Sequence, residues 1–331
     1  MNRNAILIAL IGLALVTACG RPPQAAVVEP TATPYRAPVV RITQPTQMPT
    51  LPSPSPSKPT AVNVLLLGID RRGETAGTNN TDTLMLVQID PAARRVAVLS
   101  IPRDLYVGIP GHGTGRINSA YALGMNNGGS GLVLARETVS DTLGLPVHHT
   151  MLVDFRAYVA IVDAIGGVDV EVPYDIYDPT YPDQGTGYDP FYISAGEHHL
   201  DGETALKYAR TRATLSGDFG RTARQRQLVL AIRDRVLRLD MIPGLVTQSP
   251  QLWTQLRDSF ETDLTLSEIV ELGVAASHVP ADQIVLAGID QEHTRPHTTP
   301  GGAEVLLPNT ERIRELMTEV FGPRTTASTT P

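Results

Sequence analysis

An almost unbroken apolar run from Val62 to Ile69 constrains the fold of this chain more than any other stretch. The run lies between Pro59 and Asp70 and predicts a buried strand. Strands mixed with helices follow it, which predicts an α/β fold with helices on both faces of a β-sheet, in a single domain. The predicted strands are 83–89, 96–101, 168–172 and a segment near 284–286; the predicted helices are 131–143, 155–165, 203–209, 221–239 and 311–321.

The first 19 residues have the pattern of an export signal, in which Arg3 precedes an apolar segment and then small residues. The apolar segment, residues 5–16, is shorter than the ~20 residues of a membrane-spanning helix. It ends in Val-Thr-Ala-Cys, which resembles the lipobox of bacterial lipoproteins, and Cys19 is the only cysteine of the chain. We expect Cys19 to be lipidated and to hold an extracytoplasmic protein at the membrane surface; an uncleaved short anchor is the alternative.

The segment that follows the signal has a composition unsuited to folding. Residues 20–60 contain eleven prolines, with Thr, Ser and Gln between them, and predict a disordered linker. The folded domain is predicted over residues 61–322, and residues 323–331 are predicted to form a disordered tail. Within the domain, residues 175–196 are rich in Tyr, Pro, Asp and Gly, which predicts a long irregular loop at the mouth of a site.

One segment reverses the charge of the chain. Residues 207–238 contain nine Lys and Arg against two Asp, whereas the whole protein has a formal charge of −7. A local inversion of this kind indicates an anionic partner. Nucleic acid is not expected, because the protein is exported, acidic overall and basic in this segment only.

The arginines in this segment are paired. Arg210 and Arg212 leave the same side of an extended chain, and Arg221 and Gln225 share one face of a helix. A turn over residues 215–220 would bring the two pairs together. Arginine forks match phosphate oxygens two at a time, so we favour a phosphate site; a solvated basic helix is the alternative.

Carboxylates stand at the ends of the first predicted strands. Asp70 directly follows the first strand and Asp82 opens the second, so both are predicted to point into one pocket. Two carboxylates plus substrate phosphates are common ligands of Mg²⁺. In the alternative, Asp70 is a turn residue and Asp82 caps a loop. Arg103 and Asp104 end the third strand, either as a phosphate ligand with its orienting partner or as a surface ion pair.

Seven stretches in a fixed order resemble the LytR–CpsA–Psr family of bacterial cell-wall enzymes. They are NVLLLGID (63–70), TDTLML (81–86), SIPRD (100–104), RINSAY (116–121), GGVDV (166–170), ALKYARTR (205–212) and GDFGRTARQ (217–225). A single stretch is weak evidence, but seven in the family's order are specific.

The resemblance implies a mixed sheet between helices and a hydrophobic channel for a polyprenyl chain. It also implies transfer of a phosphoglycan from undecaprenyl pyrophosphate to a wall acceptor, such as a hydroxyl of peptidoglycan. By the family's pattern, Asp70 and Asp82 hold Mg²⁺. The predicted pyrophosphate ligands are Arg103, Arg210, Arg212, Arg221 and Gln225, with Asp218 close by.

Phosphoryl transfer requires mostly positioning and charge neutralisation, to which Arg103 would contribute. It also requires a carboxylate that accepts the proton of the attacking hydroxyl. Asp218 is our first candidate for that base and Asp104 the second. The chain departs from the family at Asn80, where the family usually has arginine. Arg71 and Arg72 are the candidates to replace that charge.

Two rival functions use the same residues. With water as the acceptor, the site would be that of a polyprenyl-pyrophosphate hydrolase. The second rival function is that of a non-catalytic protein that binds lipid or glycan in the envelope. Simple binding, however, does not require a pair of metal carboxylates.

Overall fold

The computed structural model describes residues 61–70, 80–183, 187–214, 217–238 and 260–322. The predictions for residues 1–60, including Cys19, and for the tail 323–331 lie outside these residues. The strands are β1 (Val62–Ile69), β2 (Thr81–Asp90), β3 (Arg95–Ile101), β4 (Tyr106–Ile109), β5 (Gly113–Arg116), β6 (His149–Asp154), β7 (Val168–Val172), β8 (Ile176–Asp178), β9 (Phe191–Ile193), β10 (Gly196–Leu200), β11 (Phe260–Thr262), β12 (Ile284–Gly288), β13 (Thr294–Thr298) and β14 (Glu304–Pro308). The α-helices are α1 (Ala120–Asn126), α2 (Gly131–Leu143), α3 (Phe155–Ala164), α4 (Gly202–Arg210), α5 (Gly217–Arg238), α6 (Leu266–Ser277) and α7 (Thr310–Phe321).

Six strands form the central sheet, in the order β11-β6-β1-β2-β3-β12. β2 runs antiparallel to both of its neighbours, β1 and β3. β6 is parallel to β1, and β12 is parallel to β3. The sheet is therefore mixed, as the family resemblance implies.

Helices cover both faces of this sheet, which explains why β1 is apolar without alternation. Val64 and Leu66 face one core, which they share with apolar residues of α3, α4, α5 and α6. Leu65 and Leu67 face a second core, formed with α1, α2 and α7. The predicted α/β sandwich is confirmed.

A buried polar pair interrupts the apolar start of β1. Asn63 is 2% exposed, and its side-chain oxygen accepts a hydrogen bond of 3.0 Å from Gln88 Nε2, directly opposite on β2. The Asn63 amide nitrogen donates to the carbonyl of Pro146 at 2.6 Å. The pair is thus satisfied within the core, as burial of polar groups requires.

The predicted strands and helices are confirmed within a few residues at their ends, but the loop predicted at 175–196 is not irregular throughout. It contains an antiparallel hairpin, in which β8 pairs with β9 through Ile176 and Ile193. The two strands have three residues each, too short for an alternation to be recognised in a stretch rich in Pro and Asp.

Candidate functional site

The two predicted metal carboxylates lie at one edge of the central sheet. Asp70 directly follows β1, and Asp82 is the second residue of β2. Ile69 pairs with Thr81, so the end of β1 lies beside the start of β2, as predicted. Both carboxylates are nearly buried, with side chains 10% and 6% exposed.

Each of these carboxylates binds an arginine from a different part of the chain. Arg103 Nη1, from the loop after β3, donates to Asp82 Oδ1. Arg210 Nη2, from the end of α4, lies 3.2 Å from Asp70 Oδ2. The edge therefore holds two carboxylate–guanidinium pairs, whose arginines come from segments more than 100 residues apart.

Asp104 adds to this arrangement as a positioning residue. Its Oδ2 lies 3.5 Å from Arg103 Nε, and its Oδ1 accepts a hydrogen bond of 3.2 Å from Arg116 Nη1. The side chains of Arg103 and Asp104 are 16% and 26% exposed, so the two residues form a partly buried ion pair. Arg116 was not singled out in the sequence, although it lies in one of the family stretches.

Arg210 is held by aromatic rings as well as by Asp70. Its guanidinium carbon lies 4.3 Å from the centre of the Phe155 ring and 5.5 Å from that of Tyr181. Such cation–π contacts fix the plane of the guanidinium group. The sequence did not single out either ring, because a Phe in a helix pattern and a Tyr in a loop carry no specific signal.

The prediction of an extended segment through Arg210 and Arg212 is wrong for Arg210, which is the last residue of α4. Asp201 caps the start of α4 and accepts from the backbone nitrogen of Thr204 at 2.8 Å; hydrogen bonds from Thr204 lower the pKa of Asp201. A cation in the last turn is favoured by the helix dipole. Arg212 follows α4 and is half-buried.

The second predicted pair lies in α5. Arg221 and Gln225, one helical turn apart, are 2% and 5% exposed. The turn predicted over residues 215–220 is wrong from Gly217 on, because α5 begins there. Asp218 lies in the first turn of α5, and its side chain falls outside what the structure describes.

Arg224 has a role that sequence reasoning missed. It is buried, and its Nε donates to the carbonyl of Tyr208 at 2.8 Å, while its Nη2 donates to the carbonyl of Thr211. Desolvation by burial lowers the pKa of Arg224. Arg224 thus ties α5 to the segment between Arg210 and Arg212. The sequence alone does not distinguish Arg224 from Arg221, which lies three residues earlier.

A cavity of about 870 Å³ opens beside Asp70 and Arg210. Its walls come from α3, α4 and the residues that follow β8. α3 and α4 can approach closely because Gly202 has no side chain; a Cβ at this position would collide with the backbone of Val159. The contact is stabilised by a hydrogen bond of 2.7 Å from Gly202 N to Asp163 Oδ1. Among the described residues, six carboxylates and three basic side chains line the cavity: Asp70, Asp154, Asp163, Asp183, Asp189 and Glu203, with Arg156, Lys207 and Arg210.

The carboxylates at the sheet edge fit a metal that also binds substrate. Among the described residues, no group of three or more His, Cys, Asp or Glu side chains is placed to hold a metal ion by itself. Mg²⁺ is commonly held by one or two carboxylates together with water and substrate phosphates. Asp70 and Asp82 are therefore suited to Mg²⁺ in the presence of a phosphate ligand.

An apolar groove lies farther along the elements that carry the polar site. It has a volume of about 70 Å³ and lies between β2, β3, β12, α5 and α6. Along α5, at 1.5 Å per residue, the groove residues Val229 and Val236 lie ~12 Å and ~22 Å from Arg221. Along β2, at 3.3 Å per residue, the groove residues Val87 and Ile89 lie ~17 Å and ~23 Å from Asp82. Polar site and groove thus lie at successive positions along the same helix and strand.

Arginines at one sheet edge and an apolar groove behind them define a class of α/β protein suited to a ligand with an anionic head and an apolar chain. The chain belongs to the LytR_cpsA_psr family, which it matches over residues 40–321.

The relatives it resembles carry transferase names. The chain is 34% identical over 213 residues to "Polyisoprenyl-teichoic acid--peptidoglycan teichoic acid transferase TagU" of Oceanobacillus iheyensis. This alignment covers 64% of this chain and 62% of the relative. The chain is 32% identical over 210 residues to the TagV enzyme of the same description from Bacillus subtilis, which covers 62% of this chain and 50% of the relative. The matches thus span only about half to three-fifths of these relatives.

Solved structures give the same family. Bacillus subtilis TagV superposes with a TM-score of 0.61 at 27% identity, covering 80% of this chain and 98% of that one. TagT bound to LI-WTA superposes with a TM-score of 0.58 at 27% identity, covering 78% and 89%.

Proposed function

We propose that this protein is an extracytoplasmic phosphotransferase. It moves a phosphoglycan from a polyprenyl pyrophosphate, such as undecaprenyl pyrophosphate, to a hydroxyl of a cell-wall acceptor such as peptidoglycan. The observation that carries the proposal is the alignment of the arginine–carboxylate edge with the apolar groove along β2 and α5. A lipid diphosphate is a polyanionic head joined to an apolar chain, and it needs these two environments in this order.

The arginines bind and orient the diphosphate. Arg103 and Arg210 are held in place by Asp82 and Asp70, and the rings around Arg210 fix its plane. Arg212, Arg221 and Gln225 supply the remaining predicted donors from the end of α4 and from α5. When bound, Mg²⁺ at Asp70 and Asp82 would neutralise charge on the departing prenyl phosphate.

The reaction balances without a further reactant. The acceptor oxygen forms a bond to the phosphorus on the glycan side, and the bond from that phosphorus to the bridging oxygen breaks. Prenyl phosphate leaves with the bridging oxygen, and a carboxylate takes the proton of the hydroxyl. Asp218, at the start of α5, remains our first candidate for this base, since Asp104 already binds Arg103 and Arg116.

The direct test incubates the full-length protein with lipid-linked glycan, Mg²⁺ and soluble peptidoglycan fragments, followed by mass spectrometry. A glycan joined to peptidoglycan through a phosphodiester supports transfer. Release of free phosphoglycan alone would identify a hydrolase, and an unchanged donor would leave only the binding protein.

The apolar groove gives a prediction for the lipid. Ala276, on α6, lines the groove, and Ala276→Phe should fill it. Because each buried CH₂ contributes about 0.8 kcal/mol, loss of two such contacts should raise KM for a long-chain donor roughly tenfold. A short-chain donor should be cleaved as before.

Steady-state kinetics with the two donors measures this ratio. Glu271→Phe, on the exposed side of the same helix, is the matched control and should not distinguish the donors. Equal effects of Ala276→Phe on both donors would place the prenyl chain outside the groove.

The anchor is predicted separately. In the part of the chain that the structure describes, no helix is both long enough and apolar enough to span a membrane. If Cys19 carries a lipid, mass spectrometry of the mature N-terminus should show a diacylglycerol-modified cysteine, and Cys19→Ala should release or misprocess the protein. Recovery of an unmodified Met1 N-terminus from membranes would instead indicate a short anchor.

A further inference from the structure

The surface of the hairpin β8–β9 is unusually aromatic. Large apolar or aromatic side chains that stay exposed in the described residues are Met125, Val133 and four tyrosines, Tyr174, Tyr177, Tyr188 and Tyr192. The tyrosines all lie within 19 residues of sequence. An exposed apolar cluster of this kind marks an interaction site more often than a random surface does.

Three of these tyrosines form the surface that we call the tyrosine face: Tyr177, Tyr188 and Tyr192, which are 61%, 63% and 60% exposed. Tyr177 and Tyr192 are direct partners across the hairpin, so both side chains leave its outer side. Tyr188 pairs with Pro182 farther along the same hairpin. The Tyr192 hydroxyl donates to Asp175 Oδ2 at 3.4 Å, which places a carboxylate beside the rings.

The inner side of this hairpin is bonded to the proposed transfer site. Asp178 of β8 is buried, and its Oδ2 accepts a hydrogen bond of 2.7 Å from the hydroxyl of Thr211. Thr211 is the residue between Arg210 and Arg212. Lys207 of α4 donates to Asp189, which follows Tyr188. The tyrosine face is thus the outer side of an element whose inner side holds the phosphate-binding segment.

The same hairpin leads from the tyrosine face into the cavity. Tyr181, Pro182, Asp183 and Asp189 line the cavity, and Asp189 N donates to the carbonyl of Tyr181 at 2.7 Å. Apart from Asp70 and Arg210, which belong to the proposed donor site, the described lining of the cavity holds five carboxylates and two basic side chains. Those two, Lys207 and Arg156, pair with Asp189 and Asp154. This part of the cavity favours an uncharged glycan over an anionic one.

We propose that the tyrosine face is the acceptor subsite, where an uncharged glycan strand stacks on the tyrosine rings and extends into the cavity. The proposal rests on the transfer function proposed above and identifies where its acceptor binds. A pyranose ring offers an apolar C–H face to an aromatic ring, while its hydroxyls donate to carboxylates such as Asp175 and Asp183. The hairpin then directs one hydroxyl of the strand toward Arg210 and Asp70.

The test separates acceptor binding from donor cleavage. In the full-length protein, Tyr177→Ala with Tyr192→Ala should weaken binding of an uncharged N-acetylglucosamine hexamer at least about tenfold, by calorimetry. Cleavage of the lipid-linked donor with water as acceptor should stay at the wild-type rate, so that products shift from transfer to hydrolysis. The matched variant Tyr177→Phe with Tyr192→Phe keeps the rings and should bind the hexamer clearly more tightly than the double Ala variant.

Several results would overturn the proposal. These are hexamer binding and transfer that survive in the double Ala variant, and a wild-type protein that does not bind the hexamer. A third is a wild-type dimer that the double Ala variant converts to a monomer, since the face would then join two copies of this chain. A failure of the transfer function itself is recognised separately, because the wild-type protein would then form no phosphodiester between glycan and peptidoglycan, whether or not the hexamer binds.

Discussion

Replacement of Asp82 by Asn is expected to lower turnover at least ~100-fold, the scale on which loss of one group that stabilises transition-state charge lowers rates. The amide keeps the volume of the carboxylate, and its oxygen can still accept the hydrogen bond of Arg103. Alanine would leave Arg103 facing a cavity, and removal of one partner of a buried ion pair costs ~3–5 kcal/mol. Asn therefore tests the charge of this position with the least damage to the fold.

The measurement is prenyl phosphate release as a function of Mg²⁺ concentration, beside a thermal melt. The matched control is Asp90→Asn at the other end of β2, where the carboxylate accepts a hydrogen bond of 2.9 Å from the Ala93 backbone nitrogen in a turn. Asp90→Asn should retain turnover. If Asp82→Asn kept the metal dependence of the wild type, Asp82 would not be a metal ligand.

Arg210→Lys is expected to lower turnover roughly 10- to 100-fold, because a charge-assisted hydrogen bond contributes about 1.5–3 kcal/mol. Lysine keeps the charge but loses the fork that bonds two phosphate oxygens at once. It also loses the flat group that lies 4.3 Å from the Phe155 ring centre. Arg212→Lys should have a similar effect if both arginines bind the diphosphate.

Arg156→Lys is the matched control for this pair. Arg156 lines the same cavity and lies 3.2 Å from Asp154, but its side chain is 83% exposed. An exposed ion pair contributes little, so the exchange should leave turnover and melting temperature unchanged. Wild-type turnover in Arg210→Lys would instead show that Arg210 does not bind the diphosphate.

The sequence predicted the sheet edge better than it predicted the segment from Arg210 to Gly220. Apolar runs fix where buried strands end, so Asp70 and Asp82 followed from pattern alone. The end of α4 at Arg210 depends on Thr211, whose hydroxyl binds Asp178 in a distant hairpin. Contacts of that kind join residues that are far apart in the chain, and local pattern carries no record of them.

The arginines of α5 show the same limit. Arg221 and Arg224 have identical chemistry, and only packing distinguishes a predicted phosphate ligand from a residue that binds two carbonyls of the preceding segment. The hairpin β8–β9 was missed because three residues per strand are too few for an alternation to be recognised, and its outward residues are tyrosines instead of polar residues.

The buried bond between Asn63 and Gln88 sets the alignment of the two site carboxylates from the far end of the strands. β1 is apolar on both faces, so sliding it by one residue along β2 would exchange Leu65 and Leu67 for Val64 and Leu66 at little hydrophobic cost. Such a slide would separate Asn63 from its partner and bury two unsatisfied amides. It would also move Asp70 by ~3.3 Å relative to Asp82, more than the length of a metal–oxygen bond. An amide pair ~23 Å away thus fixes the spacing of the two predicted metal carboxylates.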